Sequence, residues 1–153
     1  MIDFSGVRQV GIVVDDIEET VALYSEKFGL TDWIRYEVKP EELDKYPHLV
    51  RGEPRIIGVK VAKAMIGALE FEFIESVQGE TIFKEYIESQ PRKTGVQHIA
   101  FHTVDFRAAV EELKENYEVL QEAETPSGMK VMLFDSYDEL GYSIEISYML
   151  SAE

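Results

Sequence analysis

The chain has no cysteine among its 153 residues. That excludes disulfide staples, thiolate metal ligands and thiol catalysis. It has no run of about 18 apolar residues, so no membrane-spanning helix is expected. Bases are scarce: 15 Lys and Arg stand against 30 Asp and Glu, a net charge of −15. The balance opposes both nucleic acid and anionic lipid as partners, and neither is expected. The opening residues Met-Ile-Asp-Phe-Ser-Gly lack the basic stretch and apolar core of a signal peptide, and cytoplasmic residence is the expectation. What is present is material for a core: 45% of residues are hydrophobic, with 8 Phe, 8 Tyr and 1 Trp. That suffices for one packed domain spanning residues 1–153.

The chain repeats itself. Gly6-Val7-Arg8-Gln9-Val10-Gly11-Ile12 and Gly95-Val96-Gln97-His98-Ile99-Ala100-Phe101 align at an offset of 89 residues. Both stretches read as β-strands. The match continues through Asp16 and Asp105, natural helix N-caps, into Ile17, Val21, Tyr24 and Phe28 against Phe106, Val110, Leu113 and Tyr117. Gly29 suits a left-handed helix terminus. Three strand-like runs follow each helix: 32–38, 56–65 and 68–75, then 118–123, 129–134 and 142–148. Residues 138–141 are expected to be a turn. A helix is expected over 80–90 between module one (6–76) and module two (94–149). Residues 39–54, with three prolines and Gly52, are expected to form a long irregular loop. The predicted fold class is α+β: two βαβββ modules forming a curved, half-open mixed sheet with helices outside.

The last strands repeat as well. Leu69–Ile74 and Tyr142–Ser147 align at an offset of 73, pairing Glu72 with Glu145. Strand alternation sends both glutamates away from their apolar neighbours, and sends Gln9 and His98 away from Val10 and Ile99. Gly11 and Ala100, both small, lie beyond them on the same face. His102 is expected on that face too, lining the site. Two buried carboxylates need a counter-charge. A divalent cation supplies it and also accepts an amide oxygen and an imidazole nitrogen. Gln9, Glu72, His98 and Glu145 are therefore candidate ligands for one divalent ion, with Zn, Ni, Co, Mn or Mg compatible with the donors.

The chain resembles the vicinal oxygen chelate superfamily (glyoxalase, bleomycin resistance, dioxygenase) along nearly its whole length. The matching pieces are residues 9–16 with Tyr24 and Phe28-Gly29-Leu30, then Glu72-Phe73-Ile74-Glu75, His98-Ile99-Ala100-Phe101 and Gly141–Ile146. The resemblance implies paired βαβββ modules, and metal ligands from the first and last strand of each. By position those are Gln9, Glu72, His98 and Glu145. The ligand set is similar to that of some glyoxalase I enzymes. Gly52-Glu53-Pro54 and the approach from Gly79 to His98 are more similar to the methylmalonyl-CoA epimerase branch, whose first ligand is a histidine where this chain has Gln9.

Both branches imply removal of a proton next to a carbonyl, with the metal stabilising the enolate. Glu145 is the candidate acid–base group, and Glu53 the candidate for the second face that an epimerase needs. Arg35, Lys60, Lys63, Arg92 and Lys93 are possible contacts for an anionic carbonyl or thioester substrate. The resemblance further implies a homodimer. Acyl-CoA epimerisation is the first functional expectation and glyoxalase I activity the second. An extradiol-type dioxygenase and a non-catalytic small-molecule binding protein follow.

Overall fold

The computed structural model describes residues 1–150. Ten strands form one mixed sheet in the order β2-β5-β6-β1-β7-β10-β9-β8-β3-β4. The strands are β1 (Phe4–Val14), β2 (Ile34–Val38), β3 (His48–Val50), β4 (Glu53–Pro54), β5 (Gly58–Ile66), β6 (Leu69–Gln78), β7 (Thr94–Thr103), β8 (Val119–Glu124), β9 (Met129–Phe134) and β10 (Ser143–Met149). The helices are α1 (Ile17–Phe28), α2 (Ile82–Ser89), α3 (Phe106–Asn116) and the single turn α4 (Tyr137–Leu140). The first strands of the two repeats, β1 and β7, pair antiparallel at the centre. Each also pairs in parallel with the last strand of its own module, β1 with β6 and β7 with β10. The sheet thus has a pseudo-twofold axis between β1 and β7, as the internal repeat requires.

The caps act as their residue types dictate. The Asp16 carboxylate accepts from the Glu19 N–H at 3.0 Å, and Asp105 from the Ala108 N–H at 3.1 Å. Gly29, at φ 66°, ends α1. Helices α1 and α3 cover the outer face. Ile17, Val21 and Tyr24 pack with Ile12 and Phe73, while Ala109, Val110 and Leu113 pack with Phe134, Ile144 and Ile146. Linking helix α2 puts Ile82 and Phe83 into a separate cluster with Val38, Val59, Val61, Ile74 and Leu133. No helix among the described residues is long and apolar enough to cross a membrane.

Three local readings change. Strand β2 starts at Ile34 rather than at residue 32, because Asp32 sits at φ 58°, outside the extended region. Residues 39–54 are not an irregular loop. They hold a 3-10 turn (Pro40–Glu42) and then the hairpin β3–β4, whose central residues Arg51 (φ 48°) and Gly52 (φ 80°) are both left-handed. That is the backbone signature of a two-residue hairpin turn. The hairpin crosses over and pairs β3 with β8, on the second module. Where a turn is expected over 138–141, residues 137–140 form α4, which Gly141 ends at φ 81°.

Candidate metal centre

Two rows of residues run across the four central strands. Register places Glu72 beside Gly11, Gly11 beside His98, and His98 beside Ser143. The second row is Glu70, Gln9, Ala100 and Glu145. In the first row long polar side chains alternate with small residues, and in the second Ala100 separates Gln9 from Glu145, which leaves room for the long ones to converge. Gly11 is the tightest case. A Cβ there would lie 1.9 Å from His98 Cε1, so the imidazole occupies the space a side chain would fill.

The four sequence candidates meet. His98 Nε2 lies 3.3 Å from Glu72 Oε2, 3.2 Å from Glu145 Oε2 and 3.3 Å from Gln9 Oε1. All four residues are buried. Ligand atoms of Glu72, His98 and Glu145 fall within 4.8 Å of one another. Adjacent ligands around an octahedral ion with ~2.1 Å bonds are separated by about 3 Å. One nitrogen and three oxygens at these spacings therefore fit a divalent ion of the Zn or Mg size class, with positions left for water or substrate.

Two β-bulges sharpen the site. Register slips at Arg8 on β1 and at Gln97 on β7, 89 residues apart and therefore related by the repeat. A bulge carries two successive residues against one partner, and the ladder's strict alternation fails there. At the second bulge Gln97 Oε1 lies 2.6 Å from His98 Nδ1. The amide oxygen accepts the Nδ1–H and leaves Nε2 toward the carboxylates, the orienting contact that metal-binding histidines need. At the first, Arg8 Nη2 donates to Glu145 Oε1 at 2.8 Å. Glu70 Oε1 accepts from Gln9 Nε2 at 2.5 Å and lies 3.5 Å from Lys63 Nζ. Lys63 is also 3.8 Å from Glu72 Oε1, and Tyr36 OH is 3.5 Å from the same oxygen.

Burial pushes Glu72 up, but the His98 hydrogen bond and the Lys63 charge outweigh it and hold the carboxyl below its usual range. Burial pushes His98 down, and the Glu145 charge with the Glu72 hydrogen bond overturns that, leaving the imidazole above its usual value. Glu145 is held above the usual carboxylate range by burial, against the attraction of His98. Burial also keeps the Tyr36 phenol protonated. The cluster opens into a cavity of about 370 Å³. Its walls include Val38, Val59, Val61, Phe83, Val131 and Leu133.

The model of the Glyoxalase/Bleomycin resistance protein/Dioxygenase superfamily matches residues 8–133, a span that holds Gln9, Glu72 and His98. The chain belongs to this superfamily. The superfamily fold extends over the described residues. A methylmalonyl-CoA epimerase in complex with methylmalonyl-CoA and NH4+ superposes at a TM-score of 0.72, with 20% identity and 99% of both chains covered. The methylmalonyl-CoA epimerase from Mycobacterium tuberculosis gives a TM-score of 0.70 at 16% identity, covering 98% of this chain and 93% of that one. A hypothetical protein from Bacillus halodurans C-125 gives 0.69 at 21% identity, covering 94% of each. No curated protein sequence matches the chain.

Other candidates lie elsewhere. Glu53 is exposed on β4, at the far edge of the sheet, and does not line the cavity. Its position in the loop suggested proximity, but the hairpin carries it to the outermost strand. His102 is exposed and also outside the cavity lining, because it lies four residues beyond the cluster toward the end of β7. Of the five basic residues proposed as substrate contacts, only Lys63 lines the cavity. Arg35 pairs with Glu18, and Lys93 lies 3.7 Å from Asp15. Arg8, Tyr36, Glu70 and Gln97 escaped the sequence reading. A usable signal existed: Arg8-Gln9 and Gln97-His98 put two consecutive polar residues at the same point of both repeats, which marks a bulge.

Proposed function

We propose that this chain is a divalent-metal-dependent isomerase that removes and returns the proton on a carbon next to a carbonyl, and that its reaction is epimerisation of an acyl thioester such as methylmalonyl-CoA. The observation that carries the reading is the meeting of Glu72, Glu145 and Gln9 around His98 Nε2 within 3.3 Å, at one end of a largely apolar cavity. Gln9, Glu72, His98 and Glu145 would hold the ion. When bound, the ion polarises a carbonyl oxygen and offsets the negative charge that builds as the neighbouring proton leaves.

The chain's own residues handle the proton. Glu145 is the carboxylate placed to act as general base, buried at the cluster. Arg8 holds one of its oxygens at 2.8 Å and leaves the other toward the cluster. Glu70 and Glu145 end the same row across the central strands, one from each module. They therefore flank a substrate from opposite sides, and Glu70 takes the second-face role in place of Glu53. Arg8 and Lys63 offset two of the three carboxylates at this end. A divalent ion then turns the local balance positive, which favours an anionic carbonyl compound despite the overall charge of −15. Tyr36 remains a hydrogen-bond donor. The superposed methylmalonyl-CoA epimerases support the same class of substrate.

Glyoxalase I activity on a glutathione hemithioacetal is the second reading. Gln9 favours it, because the Gln/Glu/His/Glu set resembles that of some glyoxalase I enzymes, and one base, Glu145, suffices for it. Incubation of metal-loaded protein in deuterated water, followed by NMR of the α-proton, separates the two. Exchange with racemisation of methylmalonyl-CoA is the expected result. Thioester formation from the hemithioacetal selects the second reading. Absence of exchange with either substrate refutes both.

A further inference from the structure

We propose that His48 and Gln121 form a second recognition point in the cavity, which takes a hydrogen-bond donor, a hydroxyl or an amide N–H, carried by the substrate on an apolar segment remote from the reacting carbon. The assignment rests on reading the Glu72, His98 and Glu145 end as the reaction centre. Register sets the span between the two points. Glu145 and Gln121 are each paired with Leu133, from opposite sides. Gln121 therefore stands level with Glu145 two strands away, at about 10 Å by the usual strand spacing. The strand between them, β9, contributes apolar Val131 and Leu133, and Val59 and Val61 of β5 and Phe83 of α2 also line the cavity.

Both polar groups at the far end present acceptors, and that of Gln121 is without a donor. Gln121 is 4% exposed and lines the cavity. Among the described residues its Oε1 has no hydrogen-bond partner. An unpaired buried carbonyl oxygen is costly, and a donor carried into the cavity by a ligand would relieve that cost. His48, 8% exposed, has Nδ1 at 2.9 Å from the Tyr46 carbonyl. A carbonyl accepts, so Nδ1 carries the hydrogen and Nε2 is left as an acceptor. Burial holds this imidazole below its usual value, so the ring stays neutral and Nε2 keeps its lone pair. Strands β3 and β8 place the two as diagonal neighbours on one face: His48 is paired with Ala123, and Val50 with Gln121. One apolar end group would satisfy neither acceptor, whereas one hydroxyl or amide N–H satisfies at least one of them. The donor can come from a hydroxylated acyl chain or from an amide on a thiol arm.

Three probes test this on the metal-loaded protein by calorimetry: hexanohydroxamic acid, its 6-hydroxy derivative and its 6-acetamido derivative. The expected result is that at least one donor-bearing probe binds about fivefold or more tighter than the plain chain. A preference for the hydroxyl assigns the hydroxylated chain, and a preference for the acetamide assigns the amide arm. In Gln121→Leu the ratio between tailed and plain probes should fall toward one. The ligand-free melting temperature of that variant should not drop, because the unmet acceptor is gone. Gln121→Met serves if the branched residue fails to fold. Equal binding of all three probes to the wild type overturns the proposal, and so does a preference that survives both Gln121→Leu and His48→Leu. If the hydroxamates bind equally well without metal, the metal reading fails, and the tail ratio measured on metal-free protein still decides the subsite.

Discussion

Replacing Gly11 by alanine tests how the site is assembled. The added Cβ would sit 1.9, 2.1 and 2.3 Å from three atoms of the His98 ring, well inside contact distance. The ring cannot step aside freely, because Nδ1 is held by Gln97 Oε1 at 2.6 Å and the residue is buried. Either β1 shifts against β7 or the imidazole swings out of the cluster. Overpacking of this kind costs about 1–3 kcal/mol. At this chain length that lowers Tm by roughly 3–9 °C. The effect on metal affinity should be larger, since displacing Nε2 removes the only nitrogen donor from the set. Gly29→Ala is the control. Gly29 also resists substitution, through its φ of 66°, but nothing lies within 4 Å of its Cβ position. It should cost about 1 kcal/mol of stability and leave metal affinity unchanged. Thermal melts and a metal titration of both variants suffice. A Gly11→Ala protein with wild-type metal affinity would refute the account of His98 resting in the space that glycine leaves.

Metal analysis of protein purified without chelator should find about one divalent ion per chain, from a single ligand set. Glu72→Ala and His98→Ala should each remain folded and lose it, and full occupancy in both would remove the assignment. His48 predicts a pH effect. Burial lowers its folded pKa, so the stability it contributes is complete above the unfolded value of about 6.5 and is lost as pH falls through the folded value. The melting temperature should fall less steeply between pH 7 and pH 5 in His48→Leu than in wild type, and equal slopes would contradict the sign.

The repeat made the architecture legible. Two copies of strand, aspartate cap and amphipathic helix at one constant offset imply two similar half-sheets, and the alignment of Glu72 with Glu145 locates their last strands. Period-2 alternation assigns Gln9, Glu72, His98 and Glu145 to one face of their strands, and the repeat points to their strands lying together. The supporting residues do not follow. Alternation assigns Arg8 and Gln97 to the outer face, and only the bulges make them partners of Glu145 and His98. Glu53 misled for a related reason. Distance along a loop says little about where the loop goes, and Arg51-Gly52 is a weak hairpin signal beside Asn-Gly. Lys63 and Tyr36 reach the cluster through pairing of β5 with β6 and of β2 with β5, which no local pattern encodes.

The crossing hairpin also governs how the molecule is made. Val50 is paired with Gln121, a contact that must wait for 70 intervening residues to find their places. Such long closures are entropically expensive and slow. The central pairing of β1 with β7 closes a still longer span, from Val10 to Ile99, so the two modules are joined at both the middle and the edge of the sheet. Cutting the chain between the modules therefore does not yield two self-sufficient halves: the latter half lacks an edge strand, and the former keeps an unpaired one. The wall that holds His48 and Gln121 is therefore a joint product of the two modules, β3 from the first and β8 from the second, and neither module alone can present both groups.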